Sequence, residues 1–121
     1  MAECKCYYYS LASGEKPVEY FVSSLNKKSK EKFQYTKGLL EVSGHRLKRP
    51  YSKYLGHSIF ELRFKGIEGY VRVLYFFLRQ DAVVFTNGFI KKTGKIPKNE
   101  IDIAIRRKKE CLQLKLEEEN K

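Results

Sequence analysis

Cysteine is scarce and badly spaced for cross-linking: Cys4, Cys6 and Cys111 are an odd set with no framework pattern, which excludes a secreted disulfide scaffold. Cys4-Lys5-Cys6 is a C-x-C rather than a C-x-x-C, and no second Cys/His pair completes a zinc site, so three reduced thiols and no metal centre are expected. Histidine is scarcer still. His45 and His57 stand alone, each a surface or packing residue before it is a general base, although His57 lies close to Lys53 in sequence. No apolar run is long. The longest uncharged one, Val73 to Leu78, is far too short for a bilayer, and the N-terminus has no apolar stretch of signal-peptide type. A cytoplasmic protein without a membrane partner is the expectation. Acidic residues are also in short supply, 14 against 25 Lys and Arg, which leaves a net charge of +11. A surplus of this size points to a polyanion. Nucleic acid ranks ahead of an anionic membrane surface because aromatics, 14% of the chain, are interleaved with the positive charge.

What is present suffices for one domain of 121 residues with a modest core. Cys4 to Leu11 reads as a strand and Ala12 to Lys16 as a turn. Pro17 suits the first position of a helix whose Val18, Phe21, Val22 and Leu25 share one face. Ser29 reads as the cap of a second helix running to about Val42, with Phe33, Thr36 and Leu40 inward. His45 to Tyr54 reads as a basic, aromatic loop. Three strands follow, Ser58–Lys65, Tyr70–Arg79 and Ala82–Phe89, then a basic loop from Ile90 to Ile96 and a helix opened by Pro97. The order β-α-α-β-β-β-α predicts an α+β fold, an antiparallel sheet packed with helices.

The first hairpin carries the most information. If Gly66-Ile67-Glu68-Gly69 is the turn and Lys65 pairs with Tyr70, Arg63 lies directly opposite Arg72 on one face. Like charges in that position repel, so an anion is expected between them, and paired arginines suit phosphate. The competing reading is a structural carboxylate such as Glu61. The same register puts Phe60, Leu62, Phe64, Val71, Val73 and Tyr75 on the core face. It puts Glu61, Arg63, Arg72, Leu74, Asn87 and Phe89 on the other, with Arg72 opposite Phe89 if Gln80-Asp81 is a two-residue turn. Leu74, Phe76 and Leu78 then form either an exposed partner surface or the seat of the last helix.

In order along the chain, Pro17-Val18-Glu19-Tyr20-Phe21, Lys53-Tyr54-Leu55-Gly56, Ile59-Phe60-Glu61-Leu62-Arg63, Arg72-Val73-Leu74-Tyr75-Phe76, Gly88-Phe89-Ile90-Lys91-Lys92-Thr93 and Ile96-Pro97 with Ile101 and Ala104 resemble the HigB-like branch of the RelE/ParE toxin superfamily, a branch that takes in phage-derived Gp49-like proteins. The likeness runs from about Tyr7 to about Arg107. It implies a single RelE-like toxin domain over residues 1–116 with a charged C-terminal tail at 117–121. It also implies the toxin of a type II toxin–antitoxin pair, a ribosome-dependent mRNA endoribonuclease (mRNA interferase). Such enzymes need no metal or other cofactor. A ribose 2′-hydroxyl attacks the adjacent phosphate and leaves a 2′,3′-cyclic phosphate. The implied partners are mRNA on the ribosome, a HigA-like helix-turn-helix antitoxin, and operator DNA reached only through the antitoxin complex.

That chemistry needs a base, cations for a charged phosphorane and an acid for the 5′-oxygen. The candidate catalytic residues are Lys53 (base or phosphate contact), Arg63 and Arg72 (transition-state stabilisation), and Lys91 and Lys92 (positioning or acid). The candidate RNA contacts are Asn87, Phe89, Tyr54, Arg106 and Arg107. Many members of the resembled family carry a histidine where this chain has Asn87, which bonds but does not shuttle protons at neutral pH. Two other functions fit the charge: a non-catalytic RNA- or ribosome-binding module, and a corepressor acting through its antitoxin.

Overall fold

The structure is a computed structural model that describes residues 4–92 and 94–119. Its elements are β1 (Lys5–Tyr8), α1 (Pro17–Ser23), α2 (Lys27–Ser43), a 3₁₀ turn (Gly44–Arg46), β2 (Ser52–Gly56), β3 (Ile59–Gly66), β4 (Gly69–Arg79), β5 (Ala82–Lys91) and α3 (Lys98–Glu119). The strands form one sheet in the order β1-β5-β4-β3-β2, antiparallel except where β1 runs parallel to β5. The fold is α+β, with three α-helices and a five-stranded, mostly antiparallel sheet.

One strand exceeds the expected order. The segment from Ser52 to Gly56, which begins inside the loop expected from His45 to Tyr54, is β2, paired with β3. Its alternation explains it: Ser52 is buried with its hydroxyl 2.6 Å from that of Tyr75, Tyr54 packs on Phe60 with ring centroids 5.0 Å apart, and Lys53 points the other way. Pro50 and Gly56 crowd so short a strand that its period is hard to see. At the other end, α3 continues through Glu119, beyond the start of the expected tail, while Asn120 and Lys121 lie outside the described residues.

Two apolar layers sandwich the sheet. Val18 and Val22 of α1 and Phe33 and Leu40 of α2 pack on Leu62, Val73, Tyr75, Val83 and Phe85. On the opposite face Ala104 of α3 packs on Ile59, Leu74, Phe76, Val84 and Phe89. Each large side chain so buried contributes about 1.5–3 kcal/mol. Leu74 and Phe76 are fully buried, and Leu78 packs against this layer, so this row seats the last helix and is no exposed partner surface. His45 is a packing residue, stacked on Phe77 at 3.5 Å and 19°.

The β4–β5 register holds a compensation invisible to a simple count. Arg79 pairs with Ala82 and Phe77 with Val83, which leaves Leu78 unpaired; Tyr75 pairs with Phe85 and Leu74 with Asn87, which leaves Thr86 unpaired. The two bulges cancel, so Arg72 faces Phe89 as a plain two-residue turn requires.

Gly88 lies opposite Val73 on the side covered by α1, and a Cβ there would meet the Phe21 ring at 2.5 Å. Gly88→Ala will therefore destabilise the fold by about 1–3 kcal/mol. Gly38, inside α2 with open space around it, makes the opposite control: Gly38→Ala will stabilise by roughly 0.5–1 kcal/mol. Urea midpoints of the two variants, moving in opposite directions, check both.

The β3–β4 turn caps α2. Asn26, rather than Ser29, is the N-cap, its side chain accepting from the Lys28 N–H at 2.9 Å. Ser29 is buried, its hydroxyl donating to Glu68 Oε1 at 2.5 Å and accepting the Ile67 N–H at 3.0 Å. Glu68 Oε2 accepts the Asn26 N–H at 2.6 Å. These bonds, that from Ser29 foremost, hold the Glu68 carboxyl below its ordinary 4.5. A carboxyl lowered on folding stabilises above its unfolded pKa, and that contribution is lost as pH falls through the folded value. Glu68→Gln will accordingly flatten the fall in melting temperature below pH 4.5, read by melts at successive pH values.

Candidate nucleic-acid interface

Strand pairing builds three rows on the sheet face that also carries α3. The first row is Lys53, Glu61, Leu74 and Asn87; the second is Arg63, Arg72 and Phe89; the third is Lys65, Tyr70 and Lys91. The helix covers the apolar members of the first two rows, and the cationic end stays open. Arg63 and Arg72 are directly opposite each other, as the hairpin register requires.

A carboxylate lies beneath them. Glu61 is 1% exposed, with Oε1 at 3.3 Å from Arg63 Nε and Oε2 at 3.6 Å from Arg72 Nε. Both contacts are ion pairs without hydrogen-bond geometry: Glu61 Oε2, Arg63 Nε and Arg72 Nε are buried with no hydrogen-bond partner. One carboxylate against two guanidiniums leaves the cluster with one net positive charge. Glu61 is thus the structural carboxylate of the pair, set against the Nε edges, and the cluster keeps a surplus of positive charge.

The two arginines differ in setting. The Arg72 side chain is 6% exposed and donates from Nη1 to the Val71 carbonyl at 3.1 Å, whereas the Arg63 side chain is 27% exposed. Burial pushes the Arg72 guanidinium below its ordinary pKa and the Arg63 charge adds to that, with Glu61 opposing. A guanidinium starts so high that it remains cationic. Tyr70, half-exposed, has its ring centroid 5.5 Å from both Arg72 Cζ and Lys65 Nζ. Arg63, Tyr70, Arg72, Lys91, Lys92 and Gly94 line an open cleft of about 380 Å³.

The cleft thus gathers Arg63, Arg72, Lys91 and Lys92. Lys53 is half-buried in β2, opposite Glu61, rather than in a loop. The other residues expected to touch RNA go elsewhere. Asn87 is buried and donates from Nδ2 to the Glu100 carbonyl at 3.0 Å and to Glu100 Oε1 at 2.9 Å, while its Oδ1 accepts from Thr86 at 2.7 Å. Phe89 faces Arg72 but is packed into the layer under α3. Arg107 donates from Nη1 to the carbonyl of the bulged Thr86 at 2.8 Å and lies 4.9 Å over the Tyr9 ring. Tyr9 in turn hydrogen-bonds Glu110 through its hydroxyl, which raises the Tyr9 pKa. These contacts dock α3 on the sheet. Tyr54 is on the opposite face beside Phe60, its hydroxyl accepting the Ser58 N–H at 3.1 Å. Arg106 is exposed on α3. His57, in the β2–β3 turn at φ 55°, presents its carbonyl to Lys108 Nζ at 2.9 Å.

Sequence reading passed over Lys65 and Tyr70 as members of this face. Continuing the alternation two residues outward from Arg63 and from Arg72 finds both.

A mostly antiparallel sheet covered by helices on both faces, with a cationic cluster at one open end, is consistent with the RelE-like fold. The family model for the phage-derived Gp49-like proteins (DUF891) matches residues 20–109, and the chain belongs to that family, one of RelE/HigB-like toxins. No match was found among curated proteins.

Proposed function

We propose that this protein is the toxin of a type II toxin–antitoxin pair of the HigB branch and that it cuts mRNA on the ribosome. The observation that carries the reading is the opposed Arg63–Arg72 pair, which keeps a net positive charge over buried Glu61 and opens into a cleft with Tyr70, Lys91 and Lys92. A phosphodiester seated there has its non-bridging oxygens against the guanidiniums, where charge grows in the phosphorane. The ribose 2′-hydroxyl gives its proton to a base, the O2′–P bond forms, the P–O5′ bond breaks and the 5′-oxygen takes up a proton. The products are a 2′,3′-cyclic phosphate and a 5′-hydroxyl. Lys53, Lys91 and Lys92 are the candidates for the proton transfers, and side chains supply the positive charge that the reaction needs. A HigA-like antitoxin restrains the toxin and carries the complex to operator DNA.

A second reading, an RNA- or ribosome-binding module without catalysis, draws on Asn87: where the resembled family often has histidine, this side chain is spent on Glu100. Primer extension separates the two. The protein is induced alone, and 5′ ends are mapped on a translated and an untranslated copy of one message. Cuts confined to the translated copy are expected. Cuts in both copies would mean a free ribonuclease, and no cuts from soluble, abundant protein would leave the binding module.

A further inference from the structure

We infer that a second groove, on the far side of the arginine pair from Lys91 and Lys92, is a stacking channel for the bases of single-stranded RNA next to the scissile phosphate. The inference rests on the proposed function and names where the strand runs. The groove has a volume of about 410 Å³ and shares Arg63, Tyr70 and Arg72 with the lysine cleft, so the two open on either side of one phosphate position. Its other walls include Lys32 and Tyr35 of α2, Tyr51 before β2, and Lys65.

Three features converge on a nucleic-acid strand. Tyr35, Tyr51 and Tyr70 are 64%, 37% and 51% exposed, an unusual outlay of aromatic surface in one groove. The backbone that carries Tyr35 and Tyr51 is fixed by its own hydrogen bonds. Lys32 and Tyr35 are three residues apart on one face of α2, with Thr36 Oγ1 bonded to the Lys32 carbonyl at 2.8 Å, and the Tyr51 carbonyl accepts the Arg63 N–H at 2.9 Å. Cations are interleaved with the rings, and among the described residues no carboxylate lines the groove. Aromatic faces spaced by cations match a chain of bases spaced by phosphates. An acidic peptide would use the cations and leave the rings idle.

The test is an NMR titration of the full chain with a 2′-O-methyl oligoadenylate hexamer, which keeps bases and phosphates but lacks the attacking hydroxyl. The expected result is perturbation of the Tyr35, Tyr51 and Tyr70 ring protons. Tyr35→Ala and Tyr51→Ala should each weaken binding roughly tenfold, while Tyr35→Phe keeps wild-type affinity and melting temperatures stay unchanged. Lys32→Ala or Lys65→Ala should lower the slope of log affinity against log salt by about 0.7. Perturbation confined to the Lys91–Lys92 side would overturn the inference, as would a silent RNA titration alongside binding of a glutamate-rich peptide, or no binding of either probe. Primer extension decides the ribonuclease reading separately, so the channel can fail while that reading stands.

Discussion

Arg63→Ala will abolish growth arrest and mRNA cleavage at a stability cost of at most about 1 kcal/mol. Arg72→Ala will abolish both and also unfold more easily. The contrast follows from burial, since the Arg63 side chain is 27% exposed and the Arg72 side chain 6%. Removing one preorganised donor from a developing oxyanion costs about 10²–10³ in rate, enough to relieve toxicity in either variant. The stability costs diverge. A partly exposed ion-pair partner contributes at most about 1 kcal/mol, discounted for solvent screening. Deleting the buried partner strands a carboxylate that is itself 1% exposed, and breaking such a pair costs about 3 kcal/mol, at the low end because Arg63 still faces it. Growth after induction, immunoblots for protein level and thermal melts of both variants check the pair together. Wild-type arrest by Arg63→Ala at normal abundance would remove the pair from the site. Arg72→Lys will not restore activity, since an ammonium cannot use one edge for Glu61 and another for substrate.

The hairpin that sets this contrast was legible in the sequence because its signals are local. Strand alternation and the glycines at 66 and 69 are enough to put Lys65 against Tyr70 and Arg63 against Arg72. The far edge of the site was legible for a less secure reason: Arg72 meets Phe89 only because the bulges at Leu78 and Thr86 cancel. What a one-dimensional pattern does not carry is where each long side chain ends. Asn87, Phe89 and Arg107 have the chemistry of RNA contacts, yet α3 lands on the first two and carries the third down onto Thr86, and a helix landing is a contact between distant parts of the chain. Ser29 has the chemistry of a helix cap, but Glu68 arrives from 39 residues away and takes it over. Tyr70 failed in the opposite direction: a residue at the start of a strand looks structural until Lys91 proves to flank it across from Lys65.

Glu61→Gln will show what the arginine pair is for, because it keeps the shape and removes the charge. In the parent the buried carboxylate lies 3.3 Å and 3.6 Å from the two Nε atoms and offsets two guanidiniums on neighbouring strands. Without it the pair repels across the sheet, screened only on the partly exposed Arg63 side. The expected cost is about 3–5 kcal/mol, the range for breaking a buried pair. An anion that enters the cleft should restore part of it. A ligand that binds only the folded state stabilises by mass action, and the variant's site carries two uncompensated charges where the parent has one. Inorganic phosphate should therefore raise the melting temperature of Glu61→Gln more than that of the parent, and more than the same ionic strength of sodium chloride does. If phosphate and chloride act alike on both proteins, the guanidiniums serve the fold and no anion belongs between them. If phosphate rescues the variant selectively, Glu61 holds the place of a charge that the substrate brings. The stability this carboxylate provides and the affinity of the cleft for phosphate then arise from the same two guanidiniums.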